Sequence, residues 1–148
     1  MDSKITRFIG EFEFLSNFSY SSILPPTLEH HYQARKTLNE TEQLWIMNSP
    51  TPAIAKHRGR KITLRADWEE LKLPIMAELV RLKFRPPALS IALIGTGDRE
   101  LIEGNFWHDN FWGSCFCERR TCETVVHHNY LGTILMSERS DILNKYGK

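Results

Sequence analysis

Four stretches of this chain gather side chains able to do chemistry. In EHHYQARK, residues 29–36, Glu29, Tyr32, Gln33 and Lys36 recur at i, i+3, i+4 and i+7. On a helix that spacing puts a carboxylate, a phenol, an amide and an amine on one face. A carboxylate beside an amine tunes the pKa of both, which suits acid–base or nucleophilic work. A solvated charged helix face has the same pattern, and the residues alone leave both readings open. In KHRGRKITLRADW, residues 56–68, Lys56, Arg58, Arg60, Lys61 and Arg65 surround Gly59. Guanidinium groups grip phosphate bidentately, and a glycine admits close backbone approach. An ordinary basic turn has this composition too, and the order of a P-loop is missing.

The third stretch is EGNFWHDNFWG, residues 103–113, where Glu103, Asn105 and Asp109 stand among Trp107, Trp112 and two phenylalanines. So many rings without a period need something flat to pack on, either a core or a base. The carboxylates among them favour a ligand pocket. The fourth is CFCERRTC, residues 115–122, followed by His127 and His128. Cys115, Cys117, Cys122 and His127 would make up a zinc set. Their spacing is CxCx₄C rather than CxxC, so buried or free thiols are expected and no metal or other cofactor is assigned.

These segments need elements to position them. Residues 5–18 alternate weakly around Phe8, Phe12 and Phe14, which predicts one or two short strands ending at Ser16-Asn17. After Pro25-Pro26, Thr27 is a plausible N-cap for a helix over 28–38. A second helix is predicted over 40–48, and a third over 52–57, capped by Thr51 and closed by Gly59. Asp67 is expected to cap a turn over 68–71, with Pro74 opening a helix that runs to Phe84. Lys83 falls with Met76 and Val80 on an apolar face of that helix; a buried lysine requires a partner, either a structural carboxylate or a ligand. Residues 88–94 suit a short helix, 95–98 a turn, 101–103 a strand and 104–128 a long structured loop. The final helix is predicted over 130–146, with Leu131, Ile134, Leu135, Ile142 and Leu143 buried and Gly147 just beyond its end. The expected fold is mainly α: a compact multihelical single domain over residues 1–148 with a small N-terminal β element.

Composition narrows the class of function. A chain of 148 residues fits one domain. Its net charge of +1 argues against a long basic groove for duplex DNA or a membrane surface, while leaving room for a small phosphate site. No apolar run approaches the roughly 18 residues that span a bilayer, and MDSKITRF is unlike a signal peptide. Three clustered cysteines do not form a secreted disulfide framework, so the expected compartment is the reducing cytoplasm.

Taken in order, GEFEFLSNF (10–18), TLEHHYQARK (27–36), AKHRGRKITLRADW (55–68), KF (83–84), TGDRELIEGNFWHDNFWG (96–113) and NYLGTILMSER (129–139) resemble the NADAR family, which includes the YbiA-like N-glycosidases. The resemblance covers nearly the whole chain. It implies a predominantly helical fold and cleavage of an N-glycosidic bond, with no cofactor. The substrates it implies are ADP-ribose on guanine, as a nucleotide or in DNA, or early ribosyl-amino-pyrimidines of the riboflavin pathway. A module that binds ADP-ribose without cleaving it is a third reading.

By the same resemblance Glu29 and Lys36 match the acidic and lysine positions of one block, and Trp107, Asp109 and Trp112 match another. His108 stands where the family usually has Gly. Glu29, Lys36 and Asp109 are therefore the expected catalytic residues. Asn17, Tyr32, Gln33, Lys56, Arg58, Arg60, Arg65, Trp68, Lys83, Glu103, Asn105, Trp107 and Trp112 are the expected substrate-binding set. The two carboxylates would serve an oxocarbenium-like sugar and its leaving base. Lys36 offers a second route, attack on the ring-opened sugar as a Schiff base.

Overall fold

Short polar caps and breakers divide the chain into brief elements. In the computed structural model, which describes residues 3–146, these are β1 (Lys4–Ile5), a 3₁₀ turn (Gly10–Leu15), α1 (Leu28–Ala34), α2 (Glu40–Met47), α3 (Pro52–Arg58), α4 (Trp68–Lys83), α5 (Pro87–Ile94), β2 (Glu100–Leu101), β3 (Gly104–Asn105), β4 (Ser114–Cys115), α6 (Arg120–Glu123) and α7 (Tyr130–Tyr146). The protein is mainly helical, as expected. None of the described helices is long and apolar enough to cross a membrane. The chain folds into two compact units, one of residues 17–86 and one of residues 1–16 with 87–148.

In the 17–86 unit, α1 packs on α2, α3 and α4. Each of the first three helices has a side-chain cap: Thr27 accepts from the His30 N–H, Asn39 from Glu42 and Thr51 from Ile54. Such caps satisfy backbone donors that the first turn leaves open. Leu28 is wholly buried, and burying a leucine contributes about 1.5–3 kcal/mol. Helix α1 is shorter than the predicted 28–38. Beyond Ala34 the chain tightens into i→i+3 turns, Lys36 N–H to Gln33 O at 3.2 Å and Thr37 N–H to Ala34 O at 3.5 Å. Gly59 ends α3 with φ −61°, so no left-handed cap is made there.

Helix α4 departs further from the sequence reading. One helix runs through both predicted pieces, with Pro74 inside it. The carbonyl that Pro74 leaves unbonded belongs to exposed Glu70, and Pro74 itself is exposed, so water can take the place of the missing N–H. Asp67 does not cap α4; its carboxylate pairs with Arg65 instead.

In the other unit β1 pairs in parallel with β2, and α7 packs on β2 and α5. The predicted N-terminal strands shrink to Lys4–Ile5 because Gly10 turns the chain at φ 59° into the 3₁₀ segment. Gly132 lets α7 lie directly on β2: a Cβ there would collide with the Leu101 carbonyl and the Asn129 side chain. Of the predicted α7 stripe, Leu131, Leu135 and Ile142 are buried, whereas Leu143 is 43% exposed and Arg139 is buried in its place. Arg139 reaches Thr96 Oγ1 at 2.7 Å. Gly147, the predicted C-terminal residue of this helix end, lies outside the described residues. The predicted 104–128 loop contains the parallel pair β3–β4 and the single turn α6.

Candidate active site

The carboxylate of Glu29 is set at the second position of α1, where two backbone interactions fix it. Thr27 caps the helix, and the Glu29 N–H donates to the Asn17 carbonyl at 3.1 Å. Asn17 is itself buried, and its amide points at the Met76 sulfur at 3.6 Å. The helix is tied down by His30, whose ring nitrogens meet Thr27 Oγ1 at 2.8 Å and the Ser49 carbonyl at 2.9 Å. Sequence reasoning passed over His30; the pairing of a capping Thr with a His three residues on was its visible signal.

Glu29 is only 6% exposed. Gln33 Nε2 donates to Glu29 Oε1 at 2.7 Å, the charge-assisted bond that a buried carboxylate requires. The other end of the Gln33 amide, Oε1, is buried and has no donor among the described residues. It lies against the Gly59 Cα, where a Cβ would collide with it. Gly59 therefore serves to admit Gln33, which the sequence reading of a phosphate-binding glycine did not anticipate.

Lys36 follows at the end of this face. Its ammonium lies 5.6 Å from the Tyr32 ring centre and 6.0 Å from that of Trp68, and those two rings pack at 5.3 Å. Burial lowers its pKa, Glu29 partly restores it, and the cations Arg60, Lys56 and Lys72 lower it again. The arrangement thus holds a buried carboxylate, an amine depressed toward its neutral form, two aromatic faces and a cationic surround. It can stabilise positive charge, deliver a nucleophilic amine, stack a planar ring and attract an anion.

Two of the predicted basic residues have other work. Arg58 Nη1 donates to the Trp45 carbonyl at 2.7 Å and its guanidinium covers the Trp45 ring at 4.9 Å. Arg65 forms a fork with Asp67, 2.6 Å and 3.1 Å, while its N–H donates to the Lys36 carbonyl at 2.8 Å. Arg65 therefore braces the backbone of Lys36. Lys83 is 1% exposed on α4, 5.2 Å from the Phe84 ring centre.

The residues of the EGNFWHDNFWG stretch belong to the other unit. Asn105 is fully buried and spends its amide on backbone: Nδ2 donates to the carbonyls of Glu103 and Asp109, and Oδ1 accepts from the N–H groups of Trp107 and Asp109. Asp109 Oδ1 accepts from Phe111 and Trp112, at 3.1 Å and 2.9 Å. Both side chains shape the loop. The Glu103 backbone is braced by the Asn129 side chain. Phe111 packs on Trp112, His128 and Tyr130, a local answer to why this stretch is so aromatic, while Trp107 is 56% exposed.

The three cysteines are free thiols. The histidine beside them is not the one named in the alternative zinc set, which the sequence reading left unassigned. His127 is engaged elsewhere, with Ser114 Oγ at 2.6 Å and the Cys122 carbonyl at 2.6 Å. His108 takes the fourth place, and its ring nitrogen and the three sulfurs all lie within 4.8 Å of one another. Sequence reasoning missed His108 because it sits in the aromatic block, before the cysteine run.

The chain belongs to the NADAR domain family, which matches residues 7–143 and so spans both units. It is 38% identical to the N-glycosidase Npun_R5314 of Nostoc punctiforme, covering 80% of this chain and 74% of that protein. It is 33% identical to the chloroplastic riboflavin biosynthesis protein PYRR of Zea mays, and 36% identical to the N-glycosidase YbiA of Escherichia coli. Those two matches cover 86% and 60% of this chain but only 23% and 56% of the respective relatives. The fold is similar to the NMR structure of Escherichia coli YbiA, with a TM-score of 0.81 and 27% identity over 100% of this chain and 90% of that one.

Proposed function

We propose that the protein is an N-glycosidase that hydrolyses the bond between a ribose anomeric carbon and a base nitrogen, and that its substrate is ADP-ribose attached to guanine. The observation that carries the proposal is the buried Glu29–Gln33 pair beside Lys36, whose amine is depressed by burial and by surrounding cations. Departure of the base leaves an oxocarbenium-like sugar, which a fixed carboxylate stabilises. Water then adds to C1′, and the proton it gives up balances the one taken by the nitrogen of the departed base. In the alternative route the Lys36 amine attacks C1′, the base departs protonated, the ring opens to an imine, and water releases the sugar. Lys56 and Arg60 supply the positive surround for a pyrophosphate, with Tyr32 and Trp68 as stacking faces for a ring. Asp109, Trp107 and Trp112 enter the proposal through the family block alone. The similarity to riboflavin biosynthesis proteins of Zea mays and Vibrio vulnificus favours a second reading, action on ribosyl-amino-pyrimidines of that pathway.

The test is direct. The protein is incubated with ADP-ribosylated guanosine and, separately, with a ribosyl-amino-pyrimidine, and the released base is followed by chromatography. Release from the first substrate at the higher kcat/KM supports the primary reading; preference for the second supports the riboflavin reading. Binding of ADP-ribose without release of any base overturns both.

A further inference from the structure

We propose that His108, Cys115, Cys117 and Cys122 bind one structural zinc ion. The inference concerns the fold of the second unit and stands apart from the glycosidase reading. Zinc held by thiolates and an imidazole has ligand distances of about 2.3 Å to sulfur and about 2.0–2.1 Å to nitrogen, so tetrahedral ligand atoms lie about 3.5–3.8 Å apart. His108 Nδ1 lies 3.1 Å from Cys122 Sγ, 3.5 Å from Cys117 Sγ and 3.7 Å from Cys115 Sγ. One nitrogen thus faces three sulfurs at nearly the separations a closed Cys₃His site requires. Soft thiolate donors and a closed set of four select zinc over oxygen-seeking cations.

Three further features agree. His108 has φ 67°, a left-handed conformation uncommon for residues with a Cβ, and it is this turn that carries the ring to the sulfurs. The surrounding groups orient sulfur rather than compete for it: the Arg119 N–H points at Cys117 Sγ at 3.5 Å, and Asn110 Oδ1 holds the Cys115 N–H at 2.8 Å. His127 steadies Cys122 through its carbonyl and so supports the site from outside. Lastly, the segment buries little apolar surface of its own. Between residues 118 and 128 only Cys122 is buried, Val125 and Val126 are 47% and 71% exposed, and α6 is a single turn, too short to hold itself. A metal joining the loop after β3, the end of β4 and α6 supplies that missing stabilisation, as zinc does in small domains.

The experiment is elemental analysis of the full chain purified under reducing conditions from zinc-supplied cells, followed by cobalt(II) exchange. About one zinc per chain is expected, together with the intense visible d–d bands and thiolate charge-transfer absorption of tetrahedral thiolate cobalt. His108→Gly is the decisive variant, because glycine adopts φ 67° without strain and the fold should survive. It is expected to lose most of the metal and to melt at lower temperature while keeping its helical circular dichroism. Cys122→Ser should lose the metal as well, and His127→Ala should retain it. Absence of zinc, with no cobalt spectrum on titration of the verified trithiol, would overturn the proposal. So would full zinc occupancy in His108→Gly.

Discussion

Replacing Glu29 by Gln separates charge from shape at the centre of the proposed site. The carboxylate accepts from Gln33 Nε2 at 2.7 Å and is 6% exposed. A hydrogen bond to a charged group is worth about 1.5–3 kcal/mol and a neutral one about 0.5–1.5, so the variant loses roughly 1 kcal/mol there. Removing a buried charge returns part of its desolvation cost. The net change in stability is therefore expected to stay within about 1 kcal/mol, a melting shift of no more than about 2–4 °C for a domain of this size. Catalysis should respond quite differently. If Glu29 stabilises positive charge that exists only in the transition state, kcat falls about 10²–10³-fold with little change in KM. The assay pairs thermal melts with steady-state release of the base. Wild-type turnover in a folded Glu29→Gln protein would refute the assignment of α1 as the catalytic helix, and a loss of rate explained by unfolding would refute the claim that only the charge matters.

Lys36 should titrate below lysine's ordinary range, since burial, Arg60, Lys56 and Lys72 all oppose its charge. Because the folded amine binds fewer protons than the unfolded one, its cost to stability is full below the folded pKa and vanishes as pH rises past about 10.4. NMR of reductively ¹³C-methylated protein should show its midpoint falling further in Glu29→Gln and rising in Arg60→Ala; no movement in either would contradict the electrostatic account. Gly59→Ala leaves the backbone relaxed at φ −61° but drives a methyl into the Gln33 amide, so a cost of about 1–3 kcal/mol and a clear loss of turnover are expected, measured by melts and base release. Thr27→Ala removes both the α1 cap and the partner of His30 Nδ1, which should cost about 1–2 kcal/mol in urea unfolding.

Local chemistry was legible in the amino-acid order. Thr27 and Thr51 announced helix starts, the 130–146 periodicity announced α7, and the 29–36 spacing announced a shared face, because caps and helical periods are set within a few residues. What the sequence could not reveal depends on partners far along the chain. That Gly59 makes room for Gln33, that Arg65 braces Lys36, and that Pro74 is tolerated inside α4 are facts of packing and solvent exposure. The fourth residue facing the cysteines shows the difference most clearly. The amino-acid order offered only His127, five residues beyond Cys122, as a weak alternative to free thiols, whereas the parallel pairing of Gly104–Asn105 with Ser114–Cys115 and the left-handed turn at position 108 bring His108 to the sulfurs. A ligand set is a matter of distance in space, and only the tertiary structure decides which of several nearby histidines satisfies it.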